Sequence, residues 1–172
     1  MPKFMEHLRP ANALWLLLSL TALGLDQWTK HLAVAHLNYA DPVPVLPFLN
    51  WTLLHNYGAA FSFLAESGGW QRHLFSVIAV VFSVVLTLWL LKLPKGRVVL
   101  PAALALIVGG ALGNLIDRVS LGYVVDFIHL YYQNWHYPAF NIADSSIVLG
   151  AALMLIDSFF LNPETTSQKA KP

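Results

Sequence analysis

The chain has no cysteine. That absence excludes disulfides, thiolate metal sites and a cysteine nucleophile together. It is compatible with an oxidising compartment without identifying one. Charge is scarce as well: 11% of the 172 residues are Asp, Glu, Lys or Arg, and the formal net charge is +1. Such a balance leaves no electrostatic footprint for a nucleic-acid partner. There is no His-Glu-x-x-His zinc motif and no Gly-x-Ser-x-Gly nucleophile elbow. The histidines show no metal-ligand spacing, and His129 and His136 read as interfacial residues. Nothing in the motifs calls for a metal or an organic cofactor.

What the chain does have is apolar surface. Hydrophobic residues make up 57%, with six Trp, six Tyr and ten Phe, and mean hydropathy is +0.59. A bilayer core of about 30 Å takes roughly 20 apolar residues as a helix. Four stretches come close: 11–35, interrupted by Asp26 and Lys30; 70–91, uncharged between Arg72 and Lys92; 98–119, uncharged until Asp117; and 140–161, which holds Asp144 and Asp157 near its ends. The expected architecture is a single, all-α polytopic membrane domain of four transmembrane helices, with a small extracytoplasmic β-rich platform. With both termini inside, the inner face holds Lys3, Arg9, Lys92, Lys95, Arg97, Lys169 and Lys171, and the outer side only Lys30, Arg72 and Arg118. This satisfies the positive-inside rule. A cleavable signal peptide ending at Ala33-Val34-Ala35 is the weaker reading, because Asp26 and Lys30 precede that site.

The platform is expected from the outer loop, 36–69. Three prolines in Asp41-Pro-Val-Pro-Val-Leu-Pro exclude helix there. Leu49 to His55 is rich in strand formers, and Asn56-Tyr57-Gly58 reads as a turn. A second extended segment follows Gly122, and Tyr131 to Pro138 resembles an interfacial aromatic belt. Leu93-Pro94-Lys95-Gly96 is a tight inner turn, and the tail 163–172 reads as disordered.

Asp126 and Asp144 are 18 residues apart on different elements at the same membrane edge. Carboxyl groups brought close together share a proton, so one can act as base and the other as acid. Helix-end acids at the interface fit the same pattern. Asn141, three residues before Asp144, either orients a carboxylate or caps the last helix. Asp26 and Lys30 sit at i, i+4 as an ion pair, which is structural on spacing alone. Asn114, Asp117 and Arg118 stack on one helix; Arg118 pairs with Asp117, or reaches a lipid phosphate or a substrate carbonyl. Lone acids in a membrane also suit a small proton-coupled transporter or channel, and a purely structural subunit would need neither acid.

Five blocks carry a resemblance: Asp26-Gln-x-x-Lys30, Asn56-Tyr-Gly58-Ala-Ala-Phe-Ser, Gly110-Ala-Leu-Gly-Asn114-Leu-Ile-Asp117-Arg118, Val125-Asp126-Phe127 and Phe140-Asn141-Ile-Ala-Asp144-Ser. In order and across essentially the whole chain, they resemble bacterial lipoprotein signal peptidase, signal peptidase II. The resemblance implies an intramembrane aspartyl endopeptidase of the bacterial inner membrane, multi-pass, with both termini cytoplasmic and the active site on the periplasmic side. It would remove the signal peptide of prolipoproteins by cutting before a diacylglyceryl-modified cysteine. It implies that Asp126 and Asp144 are the catalytic dyad and that Asp26, Lys30, Asn56, Gly58, Asn114, Arg118 and Asn141 support the site. It further implies no metal or organic cofactor and inhibition by cyclic peptides such as globomycin. A monomer among membrane lipids suffices for one dyad. The third-span glycines would then leave room for a substrate helix, the proline-rich segment would form a platform and the turn at Asn56 a clamp.

Overall fold

Residues 9–58 and 69–161 are described by the computed structural model. The tail expected to be disordered, and the inner cations Lys3, Lys169 and Lys171, lie outside them. A 3-10 turn, Pro10–Trp15, leads into α1, Leu16–His36; α2 is Trp70–Lys92, α3 Val99–Ser120 and α4 Ile142–Ile156. A π turn, Asp157–Leu161, extends α4. Three of these helices, α2, α3 and α4 with its extension, are long and apolar enough to cross a membrane. In α2, Val77, Val80, Val81, Val84 and Val85 all point outward. Water would penalise that surface, whereas in lipid the helix is favoured because it satisfies every backbone polar group internally.

α1 mixes two characters. Leu17, Leu20, Leu25 and Trp28 face outward, while Ser19, Asp26 and Lys30 are buried. The polar residues that interrupt its apolar run therefore turn into the helix bundle. Ser19 donates to the carbonyl of Ala105, and the amide of Asn12 holds the carbonyls of Leu90 and Leu93. That bond explains the irregular start: Asn12 is drawn to the end of α2, and the α-helix begins only at Leu16.

α3 is the central helix and packs against α1, α2 and α4. Its glycines make this possible, but not by leaving a groove for substrate. A Cβ on Gly109 would lie 2.9 Å from the Cβ of Ala22, and one on Gly110 2.8 Å from Cγ1 of Ile147. Gly113 faces the Asp26 carboxylate. The space expected for a substrate helix is filled by α1 and α4, because small-residue faces let neighbouring backbones approach closely. Gly110→Ala is accordingly expected to lower stability by about 1–3 kcal/mol through overpacking, read as a reduced melting temperature in detergent.

The expected platform is a four-stranded antiparallel sheet in the order β1-β2-β3-β4. Its strands are β1 Val43–Leu46, β2 Leu49–Asn56, β3 Val124–Tyr132 and β4 Trp135–His136. The proline-rich segment becomes the edge strand β1, where missing N–H donors do least harm. The long-range pairing of β2 with β3 sets Leu54 opposite Asp126 and Asn56 opposite Val124. Leu53, Val125 and Phe127 bury one face of the sheet on Ala33 of α1. At the outer rim, His129 and His136 share a 3.1 Å hydrogen bond, and Tyr132 and Trp135 are exposed.

Candidate active site

Chain direction brings the C-terminal ends of α1 and α3, the N-terminal end of α4 and the sheet to one end of the bundle. Asp126 points inward from β3 and is 3% exposed. Asp144 stands in the first turn of α4. Asn141 connects them. Its side-chain oxygen accepts from the Asp144 N–H at 2.9 Å, and its amide nitrogen donates to Oδ1 of Asp126 at 2.8 Å. The backbone N–H of Asn141 in turn meets Oδ2 of Asp144 at 3.3 Å, which completes a capping box. Both readings of Asn141 hold at once: it caps α4 and orients a carboxylate. Because its oxygen is committed to the cap, its nitrogen must face Asp126.

Asn114 makes the corresponding contact with the other acid, donating to Oδ1 of Asp144 at 2.8 Å. Its orientation is set by Lys30, whose ammonium donates to Oδ1 of Asn114 at 2.9 Å. Asn56, at the end of β2, donates to Oδ2 of Asp126 at 3.0 Å and accepts from the Gly58 N–H at 3.0 Å. The Gly58 carbonyl then takes a hydrogen bond from Nη2 of Arg118. All nine residues singled out from the sequence thus fall within one connected network.

At Asp126, which lies on the sheet outside the helices, burial and then the neighbouring Asp144 charge push the carboxyl up to about 7. Hydrogen bonds from Asn56 and Asn141 and the Lys30 charge oppose that rise. Such a group is poised to hold a proton near neutrality and release it with little cost.

The expected Asp26–Lys30 ion pair is present, 2.9 Å apart, and it is buried: Asp26 is 0% and Lys30 3% exposed. One expectation needs correction. Asp117 does not pair with Arg118, because adjacent residues on a helix project in different directions. Asp117 instead meets Lys30 at 2.9 Å, while Arg118 turns toward Gly58 and lies 5.6 Å from the Phe75 ring centre. Gln27, which spacing did not single out as functional, bridges Asp26 and Asp117.

Asp144, Asn114, Asn56 and Arg118 open onto a cavity of about 500 Å³. Its remaining walls are mostly apolar and include Phe75, Ile78 and Phe82 of α2 and Ile147 and Val148 of α4. The volume suits a peptide-sized occupant, and the mixture of walls suits one that is apolar along most of its length and polar at one point. Sequence reasoning missed the α2 wall; its residues carry no motif and read only as a lipid-facing span. Among the described residues, no group of three or more His, Cys, Asp or Glu is arranged to hold a metal ion.

The sequence model of a family described as signal peptidase (SPase) II matches residues 18–160. The lipoprotein signal peptidase of Acinetobacter baumannii (strain ATCC 17978) is 68% identical over 155 residues, covering 90% of this chain and 88% of that protein. The lipoprotein signal peptidase of Alteromonas mediterranea is 52% identical, covering 88% and 83%. A solved bacterial membrane enzyme, obtained by the in meso method at 2.3 Å, superposes with a TM-score of 0.79 at 32% identity, covering 96% of this chain and 98% of that one. Another, at 1.9 Å, gives 0.74 at 33% identity, covering 87% and 95%.

Proposed function

Because the chain belongs to the signal peptidase II family, we propose that it is an aspartyl endopeptidase that cuts prolipoproteins immediately before their diacylglyceryl-modified cysteine. The observation that carries this reading is the Asn141 amide, which ties Asp126 and Asp144 into one unit, with Asp144 on the wall of a mostly apolar cavity. The apolar walls would take the signal helix, and the acyl chains of the modified cysteine would hold the scissile bond at the membrane edge.

The chemistry then needs only one shared proton. The ionised carboxylate takes a proton from water, whose oxygen attacks the carbonyl carbon. The protonated carboxyl gives its proton to the carbonyl oxygen, forming a gem-diol. Return of a diol proton to one carboxylate, and donation from the other carboxyl to the amide nitrogen, break the C–N bond and restore the pair. A proton-transport reading would want acids near the middle of a span, and Asp144 lies in the first turn of α4 while Asp126 lies on the sheet.

In the cell, α1 would serve as a fourth span, with both termini cytoplasmic and the site facing the periplasm of the inner membrane. Since the chain has no native cysteine, single replacements report sidedness directly. A membrane-impermeant maleimide is expected to label Phe48→Cys in intact cells and to miss Lys95→Cys. The reverse pattern would overturn the topology. For the reaction, purified protein is expected to cleave a diacylated prolipoprotein to a product beginning at the modified cysteine, and to leave the unmodified precursor uncut. Equal cleavage of both would remove the lipid requirement.

A shared proton also fixes the pH dependence. The value of kcat/KM should fall as pH rises through about 7, because then both carboxyls ionise and no donor remains for the carbonyl oxygen. Asn56→Ala removes a hydrogen bond that favours the ionised form of Asp126 and should move this basic limb to higher pH. A limb that stays in place, or moves lower, contradicts the assignment.

A further inference from the structure

Asp126 and Asp144 stand on separate elements, so their relative placement depends on whatever joins strand β3 to helix α4. The structure repeats one device at both. The residue before Asp126 is Val125, and its backbone N–H donates to Oδ2 of Asp117 at 3.0 Å. The residue before Asp144 is Ala143, and its backbone N–H donates to Oδ1 of Asp26 at 2.8 Å. Each of the two acids is therefore preceded by an amide anchored on a buried carboxylate from another helix: Asp117 from α3 and Asp26 from α1.

The two anchors meet on one cation. Lys30 lies 2.9 Å from Asp26 and 2.9 Å from Asp117, and gives its remaining proton to Asn114. An ammonium has three donors, and all three are used. Gln27 adds a second bridge, 3.2 Å from Asp26 and 3.0 Å from Asp117. Gly113, with no side chain of its own, leaves the space the Asp26 carboxylate occupies. Buried carboxylates unpaired with a cation would be costly, so the Lys30 contact holds both in place.

Resting on the aspartyl reading above, we propose that Asp117 and Asp26 are paired positioning residues. Each holds the backbone amide beside one member of the catalytic pair, and Lys30 locks the two holds into a single frame. Neither touches substrate. Their contribution is the separation and aim of the two reacting carboxyls, where a displacement of about 1 Å can cost on the order of 100-fold in rate.

Asp117→Glu tests this directly. The substitution keeps the charge beside Lys30 but lengthens the side chain by one methylene, so the carboxylate cannot hold both Val125 and Lys30 in their present places. The expected result is a fall in kcat of about 30-fold or more, with KM for a diacylated prolipoprotein within about twofold of the parent and a cooperative melt in detergent that shows a folded protein, at a somewhat reduced temperature. Should Asp117→Glu fail to fold, Asp117→Asn keeps the shape and an acceptor for Val125, and a fall in kcat of about tenfold at unchanged KM is expected. Parental kcat in the folded variant overturns the proposal, as does a loss confined to KM. If neither variant folds, Asp117 is structural and the proposal is likewise overturned. Asp126→Asn run in parallel separates the two levels: an active Asp126→Asn refutes the aspartyl reading itself, whereas an inactive Asp126→Asn beside a fully active Asp117→Glu refutes only the positioning role.

Discussion

Asp126→Asn and Asp144→Asn are each expected to lower kcat for a diacylated prolipoprotein by about 10²- to 10⁴-fold, the range that positioned acid–base groups supply. Asparagine keeps the size and planarity of the carboxyl but can neither take a proton from water nor give one to the carbonyl oxygen. The fold should tolerate either change, because the capping bond from Asp144 N–H to Asn141 uses backbone and Asp126 sits within a paired strand. The assay must therefore be coupled to a melting curve. Loss of turnover with a parent-like melting profile is the expected outcome; turnover near the parent's in either variant would refute its catalytic role.

Lys30→Met is expected to act through stability. It removes the cation shared by Asp26 and Asp117, both in contact with it at 2.9 Å, and leaves two buried carboxylates uncompensated. Breaking a buried ion pair in this way costs about 3–5 kcal/mol. Thermal unfolding in detergent should show a large drop. The paired variant Lys30→Met with Asp117→Asn should recover part of it, since only one uncompensated acid then remains. Lys30→Arg should not restore the parent, because a broad planar guanidinium does not fit a site closed around a compact ammonium. A melting temperature unchanged in Lys30→Met would mean that the three charges are solvated rather than sealed.

Much of this architecture is legible along the chain. The bounds of α2 follow from an uncharged run that ends at Lys92 and Pro94, and β2 follows from the strand formers of Leu49 to His55, although the strand runs one residue further, into Asn56, which reads as part of the turn. The start of α4 is legible too, two residues later than the apolar run suggests, because Asn141 is its cap. The rest depends on which elements become neighbours, and that is not a local property. Asp117 reads as a partner of Arg118 until α1 is known to lie beside α3. The glycines of α3 read as a groove until α4 is seen to fill it. Phe75, Ile78 and Phe82 read as lipid-facing until the cavity shows that α2 stands apart from α4. The nine candidate residues were singled out by their motif blocks; what joins them in the structure was not visible in any block.

The central claim is that two carboxyls act as one unit, and a double-mutant cycle tests it most directly. Turnover of a diacylated prolipoprotein would be measured for the parent, Asp126→Asn, Asp144→Asn and the double variant. Groups that share one proton are strongly non-additive, so the double variant should be no slower than either single one, with all three on the same floor. A double variant whose loss is the product of two partial losses would show independent groups, and a single variant that turns over like the parent would show that no such unit exists.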